Sequence, residues 1–158
     1  MDKLVEQGSR RLKWAYEHMP VIQERDRRDR EEQPLAGLKI GMALHTEAKT
    51  GMLAVTLANA GAKIALASGT PLSTDDSVAA ALRDEYGLDV HAKKYETQEE
   101  YYNNLNAVLN TPPDCVIDDG ADLITMAHTK RRDALKNIKG GNEETTTGVI
   151  RLKAMAAQ

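Results

Sequence analysis

At 158 residues, 41% hydrophobic and 28% charged, the chain is long enough for one domain with its own core. A formal charge of -3 with intermixed signs offers no basic field for nucleic acid or an anionic membrane surface. The lone Cys115 excludes an internal disulfide or a multi-cysteine metal site, and no apolar run approaches spanning length, so a cytosolic protein is expected.

In chain order, residues 3–18 fit a helix with Leu4, Leu12, Trp14, Ala15 and Met19 as apolar contacts, broken at Pro20. Alternating charges over 21–33 read as a solvated helix face. From Pro34 the pattern changes. LKIGMAL (38–44) is a buried strand, 46–60 a helix ended by Gly61, and AKIALAS (62–68) the next strand. Ser73-Thr74-Asp75-Asp76 caps a helix running to about Tyr86. A third strand spans 88–93, a helix 96–109, and a fourth strand 114–117, with Cys115 a buried core thiol. Helices follow over 121–136 and 143–157. With 4% aromatics and no Phe, the core is built from Leu, Ile, Val, Ala and Met.

Continuous apolar strands alternating with helices imply an α/β fold: a doubly wound, mostly parallel open sheet, Rossmann-like, preceded by a helical segment. In such sheets ligands bind beyond the carboxyl ends of the strands. His45, Ser68 and Asp118-Asp119 fall there. Taken alone, His45 reads as structural more readily than catalytic, and the DDG of 118–120 as a turn and helix cap. GGNEETTTGV (140–149) reads as a capping segment with Asn142 as N-cap and Glu143-Glu144 in the first turn. Three consecutive threonines propagate a helix poorly, however, and their hydroxyls suit a sugar or a nucleotide. No G-x-G-x-x-G, P-loop, CxxC or HExxH occurs, and His18, His91 and His128 lack metal-ligand spacing, so no metal is expected.

Five segments taken together carry a resemblance: WAYEHMP, LAGLKIGMALHTEAKT, PLSTDDSVAAAL, VIDDGADL with AHTK, and NEETTTGV. In this order they resemble the N-terminal substrate-binding domain of S-adenosylhomocysteine hydrolase (adenosylhomocysteinase), in the form of its archaeal and thermophilic branch. The resemblance implies reversible NAD-dependent hydrolysis of a nucleoside thioether to nucleoside and homocysteine. It divides residues 1–158 into N-terminal helices (1–33) and an α/β core (34–158), and places the family's NAD-binding domain outside this chain. His45 takes the place of the family's acid/base or water-positioning histidine near C5′. Asp119 matches the aspartate beside it, and Glu144 the glutamate on the ribose hydroxyls. Asp118 and Asp122 are left as turn and capping residues.

The resemblance further implies that Thr145, Thr146 and Thr147 reach NAD, and that Thr50, Glu47, Lys49 and Ser73 line the substrate pocket. Many family members carry Thr and Glu where this chain has Glu47 and Lys49. A lysine can only donate, which suits a 6-oxo purine such as hypoxanthine. In the alternative, Lys49 pairs with Glu47 and leaves base choice unchanged. The family's remaining oxidation-site lysine and aspartate are expected after Gln158, so this chain alone is expected to be inactive. The implied partners are a small nucleoside substrate and the remainder of a hydrolase chain or a homo-oligomer. Two other readings stay open: a stand-alone module that binds a purine nucleoside or its thioether, and a regulatory subunit that docks on a longer hydrolase.

Overall fold

The computed structural model describes residues 2–158. Helices α1 (Lys3–Glu17) and α2 (Pro20–Glu32) precede a run of β1 (Lys39–Leu44), α3 (Ala48–Asn59), β2 (Lys63–Ser68), α4 (Asp76–Asp84), β3 (Asp89–His91), α5 (Gln98–Asn110) and β4 (Cys115–Asp118). Then come α6 (Asp122–Thr129), α7 (Arg132–Leu135), β5 (Gly140–Glu143) and α8 (Thr146–Ala156). The five strands form one sheet in the order β3-β2-β1-β4-β5, and every pairing is parallel. The doubly wound expectation therefore holds.

Side chains alternate across the sheet and build two cores. Ile40, Met42 and Leu44 of β1 pack with Leu12 of α1, Val55 of α3 and Leu82 of α4. Ala43 faces the other way, into Leu105 and Val108 of α5 and Leu123 of α6. Each fully buried leucine contributes about 1.5–3 kcal/mol of transfer free energy. Helix starts follow local chemistry. Asp75 caps α4 by accepting from the amides of Ser77 and Val78, and Thr97 with Glu100 forms a capping box on α5.

Several expectations are corrected. Residues 140–143 form a fifth strand, not a helix cap. Their main chain pairs with β4 in register Cys115↔Gly140 to Asp118↔Glu143, which a polar sequence without apolar alternation does not announce. The helix expected over 121–136 is broken at Arg131, whose guanidinium is drawn to Asn106 and Asn110 and to the Leu109 carbonyl of α5. Trp14 and Leu4 are exposed, not core: Trp14 stacks on His18 at a centroid distance of 4.5 Å. Cys115 is half-buried. The charged α2 keeps Asp26 and Asp29 buried. Asp26 accepts from Arg30, from Tyr16 and from the side chain of Asn59, so this face docks through hydrogen bonds.

α1 meets α4 through Gly8. A Cβ there would stand 1.9 Å from the Ser77 carbonyl oxygen, so only glycine permits the approach. Gly8→Ala is expected to cost at least about 2 kcal/mol, read as a lowered urea midpoint at unchanged m-value. An unchanged midpoint would refute this account of the α1–α4 contact.

Candidate functional site

β1 and β4 are neighbours, yet the helices that follow them leave on opposite faces, α3 into the first core and α6 into the second. This divergence makes the β1–β4 junction the topological switch point, beyond whose carboxyl edge parallel sheets bind ligands. His45 is the first residue after β1 and Asp119 the first after β4. Parallel pairing of Ala43 with Asp118 brings them together: His45 Nε2 lies 3.1 Å from Asp119 Oδ2. The His45 side chain is 48% exposed and that of Asp119 12%. The other ring nitrogen of His45 has no hydrogen bond among the described residues. A carboxylate thus orients the ring and leaves one nitrogen free for proton exchange with a ligand.

Asp118, the last residue of β4, is 2% exposed. Its carboxylate accepts from the amides of Asp119 (3.0 Å) and Ile124 (2.9 Å), and its carbonyl accepts from the amide of Glu144 (2.9 Å). Burial raises its pKa to about 6 and outweighs the bond from the Ile124 amide, while the charge of Glu143 pushes in the same direction as burial. Gly120 and Ala121 follow with φ of 97° and 64°, and Ala121 is fully buried. Asp122 accepts from the Tyr101 hydroxyl (3.1 Å) and from Arg151 (2.8 Å), and Arg151 also donates to the Gly120 carbonyl. Burial first, and the Asp122 charge second, push the Tyr101 phenol above its ordinary range and keep it a donor.

At the end of β5, the Glu143 carboxylate accepts from the amides of Gly120 (2.7 Å), Ala121 (3.0 Å) and Thr145 (3.1 Å). Glu144 follows in the turn with its side chain exposed. Thr145, not Asn142, is the N-cap of α8, and its side chain does not cap the helix. The hydroxyls of Thr145, Thr146 and Thr147 have no hydrogen bond among the described residues.

At the start of α3, Glu47 is the N-cap and accepts from the Thr50 amide at 2.8 Å. It does not pair with Lys49, which is exposed and makes no ion pair among the described residues, so the expected Glu47–Lys49 pair is not formed. Ser73 lies on the β2–α4 loop at the same sheet edge. Its hydroxyl donates to the Thr70 carbonyl and lies 3.2 Å from Ser68 Oγ, so part of its bonding is spent on its own loop. The geometry gathers His45 with Asp119, and ties the backbone of Glu144 to Asp118. Glu143 and Tyr101 lie in no sequence pattern that announces a role at this edge.

A parallel sheet with a histidine–aspartate pair across its switch point, flanked by threonine hydroxyls unpartnered among the described residues, defines a doubly wound α/β domain. Residues 2–135 match the family described as S-adenosyl-L-homocysteine hydrolase, and the chain belongs to that family. It is 57% identical over 148 residues to an adenosylhomocysteinase of Thermoplasma volcanium, covering 94% of this chain and 36% of that relative. It is equally 57% identical over 152 residues to an S-inosyl-L-homocysteine hydrolase of Methanocaldococcus jannaschii, covering 96% and 36%. An adenosylhomocysteinase of Pyrococcus abyssi is 45% identical over 152 residues. The chain spans about 36% of the length of these curated relatives. No helix among the described residues is long and apolar enough to cross a membrane.

The Asp118 carboxyl is expected to titrate near pH 6 rather than near 3.8, followed through its side-chain 13C shift. A folded pKa above the unfolded one means its contribution to stability is full below about pH 3.8 and is lost as pH rises through about 6. The loss is on the order of 2–3 kcal/mol. A midpoint below 4.5 would overturn the assignment.

Proposed function

We propose that this chain is the substrate-binding part of an NAD-dependent hydrolase that reversibly cleaves a nucleoside–homocysteine thioether. The single observation that carries the reading is the 3.1 Å contact of His45 with Asp119 at the switch point of a sheet that matches this family. His45 exchanges a proton, or holds a water, beside C5′ of the ribose, and Asp119 orients its ring. Glu144 accepts hydrogen bonds from the ribose hydroxyls. Thr50 and Ser73 border the same pocket.

The residues present fit a cofactor rich in hydroxyls. The unpartnered side chains of Thr145, Thr146 and Thr147 stand at the start of α8, where exposed amides favour a polar or anionic group. These threonines would hold the edge of an NAD whose main site lies outside this chain. The chemistry that NAD supplies when bound is reversible oxidation of the ribose 3′-hydroxyl. This chain's residues hold the nucleoside, move protons at its ribose and shield it from bulk water other than the one that reacts.

Lys49 decides the base end of the reading. It is exposed and free of Glu47, so its ammonium is available to donate to a 6-oxo purine, and S-inosylhomocysteine is proposed as a substrate alongside the adenosyl compound. One relative above carries the inosyl compound in its name, which supports this choice.

Two experiments on the natural full-length protein test the proposal. His45→Asn and Asp119→Asn are each expected to lower kcat by about 100-fold or more, with nucleoside affinity changed little. Full activity in either variant would sink the assigned roles. For the base, Lys49→Glu is expected to shift the ratio of inosine to adenosine affinity toward adenosine by about tenfold. An identical ratio in both proteins would remove Lys49 from base selection.

A further inference from the structure

Glu143 has no part in the reading above, yet it makes more hydrogen bonds at the sheet edge than any residue assigned a role. One carboxylate oxygen takes the amides of Gly120 and Thr145, and the other takes the amide of Ala121. Two of these amides belong to the loop that carries Asp119, and the third to the loop that carries Glu144. The carboxylate fills a concavity made by consecutive N–H groups, an arrangement that favours negative charge. It also offsets a local strain: Ala121 holds φ of 64° while fully buried, which a non-glycine residue keeps only when its surroundings enforce it. Gly148 completes the fit. A Cβ at that position would stand 2.1 Å from the Glu143 carboxylate oxygen, so the helix turn passes over the carboxylate only because residue 148 is glycine.

We propose that Glu143 is a positioning residue, whose carboxylate locks the Asp119 loop and the Glu144–Thr145 loop into one rigid edge facing the substrate. The catalytic half of this inference rests on the function proposed above. The carboxylate does not itself touch the substrate. Glutamine has the same shape but presents one acceptor and one donor, so it must face at least one amide with its own NH2 group. Glu143→Gln therefore removes the lock with almost no change in volume. Gly148→Ala removes it from the other side by displacing the carboxylate. A misplacement of about 1 Å in catalytic groups lowers turnover by roughly 100-fold.

The test uses the natural full-length protein and both variants. Hydrogen–deuterium exchange by mass spectrometry is read in peptides spanning 118–125 and 143–149, with a peptide over 63–68 as the internal control. Turnover and KM are measured with the nucleoside and homocysteine. The expected result is at least about tenfold faster exchange in the two loop peptides only, with kcat lowered about 10- to 100-fold and KM for the nucleoside within about twofold. Unchanged loop exchange in both variants would overturn the lock. Faster exchange with full kcat in an active protein would reduce Glu143 to a structural role. A wild type without turnover would refute the proposed function instead, and the exchange comparison alone would then decide whether Glu143 holds the two loops.

Discussion

Everything at the functional edge depends on β1 pairing in parallel with β4. That pairing carries the register Ala43↔Asp118, and the register sets His45 beside Asp119. The chain leaves β1 toward one face and β4 toward the other, which makes their junction the switch point of the sheet. β1 is the central strand, buried along nearly its whole length, and leaves little freedom for its neighbour β4 to slip. A slip of one residue would turn Met42 and Leu44 out of their core and separate the histidine from its carboxylate.

The polar groups at this edge divide into two sets with different physical tasks. Asp118, Asp122, Glu143 and Tyr101 have partners within the protein: amides, Arg151 or a carbonyl. Their charges and hydroxyl are largely consumed in holding loops, and the half-buried or buried carboxylates are tolerable only because each accepts several donors. The second ring nitrogen of His45, the Glu144 carboxylate, the threonine hydroxyls and the Lys49 ammonium have no such partners among the described residues. Unpartnered polar groups gathered on one rim are what a polar ligand with several hydroxyls requires. Under the function proposed above, the inner set positions and the outer set binds.

How far the site could be read in advance follows from the same division. The threonines stand in an unusual run that the sequence makes visible, while His45 and Asp119 stand at strand ends and acquire roles only through the family resemblance. Glu143 stands next to Glu144 and differs from it in nothing local. Which of the two turns inward is decided by the pairing of Asp118 with Glu143 and by the space over Gly148. The strand 140–143 is hidden in the sequence for a related reason. Its residues are polar or lack side chains, so its place in the sheet comes from main-chain bonds to β4 rather than from burial. Trp14 errs the other way: a residue with a large apolar surface lies on the outer face of α1, because α1 packs through Gly8 and Leu12 instead.

The order of helices and strands through β4, the parallel sheet and the two-sided core were determined by local periodicity and caps. These are properties of short segments, and each segment carries its own signal. The strand order, the fifth strand, the burial of Asp118 with its pKa of about 6, and the three-amide grip of Glu143 were decided only by the tertiary structure. They arise between residues distant in the chain, where desolvation and hydrogen-bond geometry depend on what folds against each group and not on the residues beside it.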